Sequence, residues 1–370
     1  MRGLGRLASL ASAIRRGTAR DGLPYKHTLI LSSRCPTRCT FCSIWRSPQA
    51  GELSPDEWGK VFASAPHTVW TNLSGGEIFQ RADLPAILDA LGRELRSLCL
   101  VTFPTTGWFP DRLRDGCERL VRAGVPRVLV TISLDGPPEL HDRLRGREGA
   151  HARACEAMRV LRAARIPRVR AYFGMTLLPE NHGAAEATIR AAAEAVPGIG
   201  ARDFHFNLGM ESGHYYRNLG SGVRAPAAAL ATVERYRRKG LGPVSLLERA
   251  YQGRIGRYLA TGRSPVPCSA LRASVFVDSK GVVYPCSIYD RPLGSLRDFG
   301  LDLRRVLAGA EAHAARRDVV RDRCPGCWTP CDAYPSLLTA VAARREATPS
   351  EGEKDGDRER RERAEQEVQR

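Results

Sequence analysis

Cys35, Cys39 and Cys42 stand in the spacing CxxxCxxC directly behind the apolar run 27–32, with Phe41 just before the last of them. Thiolates ligate zinc and iron–sulfur clusters, and a cubane [4Fe–4S] cluster is saturated by four of them. A site that offers three leaves one iron open, as a metal that performs chemistry requires. A zinc knuckle is the competing reading, but zinc sites usually pair CxxC with a second CxxC or with nearby histidines. Five more cysteines cluster towards the C-terminus: Cys268, Cys286, Cys324, Cys327 and Cys331. Four sulfurs from two such segments close a cluster completely, which suits electron transfer rather than activation of a bound molecule. A zinc ribbon on the same cysteines is the alternative. Cys99, Cys117 and Cys155 fall inside strand or helix patterns and read as small buried hydrophobes.

Composition narrows the setting. The chain has 370 residues, 43% of them hydrophobic, enough for one large domain or a barrel with an appendage. No apolar run reaches the roughly 20 residues that span a bilayer. The Arg-rich N-terminus lacks the apolar core of a secretory signal. Eleven cysteines without such a signal argue for metal in a reducing cytoplasm rather than for disulfides. A net charge of +17 attracts anionic partners, yet no basic stripe interleaved with aromatics offers itself for stacking bases, so no nucleic acid is expected.

The elements that must position these cysteines alternate regularly. Short apolar segments at 28–32, 68–73, 98–103, 127–134, 169–176 and 203–208 read as strands. Amphipathic segments at 55–64, 82–95, 110–123, 150–164 and 183–195 read as helices. Ser54, Pro55 and Glu57 supply an N-cap, a first-turn proline and a first-turn acid. Six β/α repeats imply parallel strands with right-handed crossovers. The expected fold is therefore α/β, a partial (β/α)6 TIM-like barrel with its chemistry at the C-terminal strand ends, where the first cysteine loop falls. After residue 240 the pattern changes. Alternating residues around a turn at Ser279, Lys280 and Gly281 predict a hairpin that draws Cys268 and Cys286 to one end of a two-stranded unit. The chain divides into a basic amphipathic segment (1–24), the barrel (25–240), a small Cys-rich domain (241–340) and a charged, disordered tail (341–370).

Two further strand ends carry chemistry. The second runs into Gly75, Gly76 and Glu77, where glycines let backbone approach a ligand and an acid can hold an ammonium, although such a turn is common without function. The fourth runs into Ser133, Asp135 and Gly136, followed by His141, Asp142, Arg143, Arg145 and Gly146; Asp135 and Gly136 also suit a simple Asx turn. Together with CxxxCxxC and its aromatic, these segments resemble the radical S-adenosylmethionine (SAM) superfamily. In that family the three-cysteine [4Fe–4S] cluster chelates SAM at its open iron and releases a 5′-deoxyadenosyl radical. The resemblance implies that Gly75, Gly76 and Glu77 hold the methionine amino group, with Ile78 standing in place of the family's proline. It also implies that Ser133 contacts the ribose and that Arg145 or Arg143 lies near the SAM carboxylate. The later cysteines resemble the SPASM or twitch auxiliary domain. Five thiolates are too few for two clusters, which implies one auxiliary [4Fe–4S] cluster on Cys268, Cys286, Cys324 and Cys327, with Cys331 as substitute or spare.

A second cluster near a substrate radical can accept an electron, so a net oxidation such as dehydrogenation is expected, with a redox-neutral rearrangement as runner-up. The segment 206–217 follows the last barrel strand and offers Glu211, His214 and Tyr215 as candidate catalytic proton acceptors. Peptide-modifying relatives often carry a recognition module before the barrel, where this chain has only its segment 1–24. A small polar metabolite is therefore expected ahead of a peptide or a lipid, with flavodoxin or ferredoxin as electron donor. The non-enzymatic alternatives are an iron–sulfur scaffold and a zinc-binding interaction protein. Leu4, Leu7, Leu10, Ala11 and Ile14, at helical spacing among arginines, either meet an anionic membrane or cover the barrel's lower rim. The expected location is cytoplasmic.

Overall fold

Alternation along the strands sets the architecture. In β4 (Arg127–Ser133), Val128, Val130 and Ile132 are fully buried in the main hydrophobic core, while Leu129, Thr131 and Ser133 line a central cavity. Each buried aliphatic side chain contributes about 1.5–3 kcal/mol, so a one-residue slip would turn a large driving force outward. The same division recurs in β6 (Phe204–Leu208), where Phe204 and Phe206 enter the core and His205 and Asn207 face the cavity. The structure, a computed structural model, describes residues 2–346.

The remaining strands are β1 (Lys26–Ser32), β2 (Trp70–Gly75), β3 (Leu100–Thr105), β5 (Val169–Leu177), β7 (Ser274–Val277), β8 (Val282–Tyr284) and β9 (Gly294–Ser295). They form one sheet in the order β6-β5-β4-β3-β2-β1-β7-β8-β9. Pairing is parallel from β6 through β7 and antiparallel beyond. This is the α/β partial barrel expected, with one difference. The hairpin does not stand alone: all four residues of β7 are buried, and they pair with Lys26, His27, Thr28 and Leu29, so the Cys-rich region extends the barrel's own sheet.

Helices cover the outer face. Pro55–Ser64 opens on a full capping box, in which Ser54 Oγ accepts the Glu57 amide at 3.2 Å and the Glu57 carboxylate accepts the Ser54 amide at 2.8 Å. The helix Pro138–Arg145 was not foreseen, because it is short and polar and its residues read as a motif. Helices Pro243–Gln252 and Pro330–Glu346 meet through Tyr251, whose ring lies 5.6 Å from that of Trp328 and 5.5 Å from that of Tyr334. They bring Glu248, Cys331 and Tyr334 to the cavity wall.

The N-terminal helix Arg2–Arg16 lies under the barrel. Ala13 is buried and Leu10 and Ile14 are half-buried, packed with Tyr25, Val69 and Trp70 at the lower strand ends. Arg6 donates to the Gly124 carbonyl at 2.6 Å. Leu10 and Ile14 of the apolar stripe thus cover the lower rim while Leu7 and Ala11 are exposed, and among the described residues no helix is long and apolar enough to cross a membrane. The expected charged tail begins inside the last helix, and its part from 347 to 370 lies outside the described residues.

Candidate active site

The loop after β1 carries Cys35, Cys39 and Cys42 to the C-terminal end of the barrel. It is tied on both sides. Glu52 accepts the Ser33 amide at 2.6 Å, and the Arg38 and Thr40 amides donate to the Arg145 and Leu144 carbonyls at 2.9 Å each. Gly146 permits that approach: at φ 58° it ends the helix Pro138–Arg145, and a Cβ there would lie 2.3 Å from the Arg38 carbonyl oxygen. Thr37 Oγ1 sits between two thiols, 3.2 Å from Cys35 Sγ and 3.4 Å from Cys39 Sγ. Burial pushes the Cys35 thiol up to about 11 and Cys42 to about 12, with neighbouring Cys39 adding to both. Buried thiols such as Cys35 and Cys42 become thiolates together only beside a strong positive charge, which an iron cluster would supply. Among the described residues no group of three or more His, Cys, Asp or Glu is gathered as a single metal ion requires. Cys35, Cys39 and Cys42, on one short loop, all line one cavity, a donor set of three that suits a cubane with one open iron.

Backbone presses close beside the loop. Gly75 has φ 154°, and a Cβ on it would lie 2.2 Å from the Ser32 carbonyl oxygen; on Gly76 it would lie 2.3 Å from that of Arg34. Both glycines line the cavity. Glu77 does not. Its carboxylate is fully buried and turned into the protein, accepting from Thr105 Oγ1 at 2.8 Å, the Thr106 amide at 2.7 Å and Thr106 Oγ1 at 2.6 Å. The expected contact from this acid to a ligand ammonium is replaced by a brace on the end of β3, and backbone remains to face the ligand.

Ser133 and Arg145 both line the cavity, whereas Arg143 is exposed. Arg145 pairs with the buried Asp135 at 2.6 Å, lies 3.7 Å from Cys39 Sγ and covers the Phe41 ring at 5.3 Å. His141 Nδ1 accepts the Asp135 amide at 2.9 Å, and Asp142 accepts the amides of Gly149 and His151 at 2.6 and 2.8 Å. His141 thus holds the end of β4, Arg145 and Gly146 meet the cysteine loop, and Asp142 holds the start of the helix Ala150–Ala164.

Cys268, Cys286, Cys324 and Cys327 form the second group. Burial pushes the Cys268 thiol up to about 12, and it senses Cys324; burial also raises Cys286 and Cys327, which sense Cys268. Cys331, expected with them, is placed elsewhere. It lines the barrel cavity, with its Sγ 3.7 Å from Asn72 Nδ2 and its carbonyl bound by the Lys26 ammonium. The helix that begins at Pro330 turns its side chain towards β1 and β2.

The three candidate proton acceptors separate. Only Tyr215 lines the cavity, its hydroxyl 2.7 Å from Ser74 Oγ. His214 stacks on Tyr284 at 4.1 Å, with Nε2 3.0 Å from the Cys286 carbonyl oxygen. Glu211 points away, held by Arg224 Nε and the Gly222 amide at 3.0 Å each. The sequence reading passed over Lys26, Asn72, Thr131, Tyr172, His205 and Asn207, which line a cavity of about 320 Å³. His205 Nε2 and Asn207 Oδ1 are buried without a partner, and burial holds the His205 imidazole down to about 4, so it is neutral at ordinary pH. The missed signal was polar residues at alternate strand positions facing the barrel axis.

Comparison with known proteins follows this geometry. The family model of the radical SAM superfamily matches residues 29–192. AlbA, the antilisterial bacteriocin subtilosin biosynthesis protein of Bacillus subtilis (strain 168), is 25% identical, covering 88% of this chain and 72% of AlbA. SkfB, the sporulation killing factor maturation protein of the same organism, is 30% identical, covering 48% of this chain and 42% of SkfB. The chain thus spans less than half of SkfB. Among solved structures, Streptococcus suis SuiB bound to SAM has a TM-score of 0.56 at 13% identity, covering 84% of this chain and 71% of SuiB. SuiB is also known bound to the precursor peptide SuiA.

Proposed function

We propose that this chain, which is an enzyme of the radical SAM superfamily, modifies a peptide by removing a hydrogen atom from one of its carbons. The observation that carries the reading is the cavity. Its wall joins the three-cysteine loop to neutral hydrogen-bonding groups, among them His205 and Asn207 with unpaired buried atoms, and such groups match the amides of a peptide. The relatives point the same way: AlbA and SkfB are named for the biosynthesis of a bacteriocin and of a killing factor, and SuiB takes a precursor peptide. The small polar metabolite expected from the sequence therefore gives way to a peptide.

A [4Fe–4S] cluster on Cys35, Cys39 and Cys42, with SAM bound, supplies the radical that removes the hydrogen atom. The chain's own groups arrange the reaction. The backbone at Gly75 and Gly76 presents hydrogen-bonding groups to SAM, Ser133 faces its ribose, and Arg145 lies near its carboxylate. Asp135 fixes the Arg145 guanidinium, and Tyr215, braced on Ser74, closes the wall beside the cysteine loop. Cys268, Cys286, Cys324 and Cys327 would hold a second cluster able to exchange single electrons, and His214 packs beside this region, stacked on Tyr284 with Nε2 against the Cys286 carbonyl oxygen. Ferredoxin or flavodoxin is the proposed donor.

The test is anaerobic incubation of the reconstituted chain with SAM, dithionite and each short peptide encoded beside its gene. The expected result is a mass change in one peptide together with 5′-deoxyadenosine. Formation of 5′-deoxyadenosine that no peptide stimulates, but that a small metabolite does, would sink the peptide reading.

A further inference from the structure

Cys331 stands apart from every cluster-forming set. The other four C-terminal cysteines lie among one another, whereas Cys331 shares its cavity with Cys35, Cys39 and Cys42. Its position is fixed from two strands. The Lys26 ammonium, 1% exposed, binds its carbonyl, and the Asn72 amide lies 3.7 Å from its sulfur. Lys26 opens β1 and Asn72 is in the middle of β2, so the thiol sits below the level of the cysteine loop, which follows the end of β1. A separate observation shows that a ligand belongs in this space. His205 Nε2 and Asn207 Oδ1, on the same cavity wall, are buried polar atoms without partners.

An S–H bond is weaker than an unactivated C–H bond and comparable in strength with a peptide Cα–H bond, so a carbon radical within reach of a thiol can take its hydrogen. We propose that Cys331 is the hydrogen-atom donor of this cavity. After a hydrogen atom has left a peptide carbon, the Cys331 S–H bond breaks homolytically and a new C–H bond forms. The sulfur-centred radical then regains its thiol by taking one electron from a donor of the ferredoxin or flavodoxin class and one proton from solvent. The peptide loses one hydrogen atom and gains another, so its oxidation state is unchanged. Removal from the side of the cysteine loop and return from the side of the cavity floor inverts that carbon. The change is then redox-neutral, which was the runner-up to the net oxidation expected from the sequence.

This role rests on the peptide reading above, and its test uses no peptide, so the two fail separately. The full chain, loaded anaerobically with iron and sulfide, is treated with iodoacetamide and mapped by mass spectrometry. Cys331 should be alkylated while the seven cluster cysteines are protected, and SAM should slow the reaction. Cys331→Ser, which keeps the size of the side chain, should retain the full iron count. Reductive cleavage of SAM in D2O should place deuterium in 5′-deoxyadenosine, and Cys331→Ser should lose that label. Protection of Cys331 accompanied by loss of iron in Cys331→Ser would make it a ligand and overturn the proposal. Unchanged deuterium in Cys331→Ser would overturn it as well.

Discussion

Arg145 and Asp135 form a buried ion pair at 2.6 Å, and the same guanidinium lies 3.7 Å from Cys39 Sγ. The pair joins the end of β4 to the cysteine loop. Removing one partner of a buried pair leaves an uncompensated charge and costs roughly 3–5 kcal/mol. Asp135→Ala should therefore lower the unfolding free energy from anaerobic urea titration by that much and weaken SAM binding. A variant with wild-type stability would show that the pair is not what anchors Arg145.

Gly146 and Gly149 make a matched test of close approach. Both have positive φ, so alanine strains either one by roughly 1–2 kcal/mol. Only at Gly146 does a Cβ meet backbone, 2.3 Å from the Arg38 oxygen; at Gly149 nothing lies within 4 Å. Gly146→Ala should displace the cysteine loop and lose the iron of that site, whereas Gly149→Ala should keep it. Iron and sulfide counts on the two proteins decide the matter.

Glu77 should act on stability rather than on ligand affinity. Glu77→Ala strands the Thr105 and Thr106 donors, at roughly 1–3 kcal/mol for each group left unpaired. Glu77→Gln keeps acceptor capacity and should bind SAM almost as tightly as the native chain. Equilibrium dialysis showing a large loss of SAM affinity in Glu77→Gln would return the side chain to the ligand site.

The two cysteine groups should fail differently. Cys39→Ala should abolish 5′-deoxyadenosine formation, and Cys286→Ala should lower it without abolishing it while ending turnover of the peptide. Full turnover by Cys286→Ala would contradict the proposed second cluster.

Glu248 gives stability a pH dependence of known sign. Burial raises its carboxyl from 4.5 to about 6, and the Tyr334 hydroxyl donates to it. The folded chain thus holds this proton more tightly than the unfolded one. The contribution, about 2 kcal/mol, is fully present below pH 4.5 and is lost as pH rises through about 6. Glu248→Gln should flatten this part of the profile in urea unfolding measured across that window.

The barrel was legible because its strands and helices announce themselves locally. Hydrophobic alternation in residues such as Val128, Val130 and Ile132 is a property of neighbours in sequence, and so is the Ser54 capping box. The helix Pro138–Arg145 was less legible, since its buried face is made of His141, Leu144 and Arg145, two of them polar groups whose burial depends on pairing with Asp135 at the end of β4.

The sequence by itself determined the spacing of Cys35, Cys39 and Cys42, the strand order that carries them to one end of the barrel, and the glycines that bring backbone against them. A short loop constrains its own cysteines through local covalent geometry, so spacing suffices there. Only the tertiary structure decided that Glu77 turns inward to Thr105 and Thr106, that Glu211 leaves the cavity while Tyr215 stays, and that Cys331 joins the barrel rather than its four neighbours in sequence. Those directions depend on which elements pack together and which donors they present: Glu77 meets the end of β3, Glu211 meets Arg224 and the Gly222 amide, and Cys331 meets residues of β1 and β2 hundreds of positions earlier in the chain.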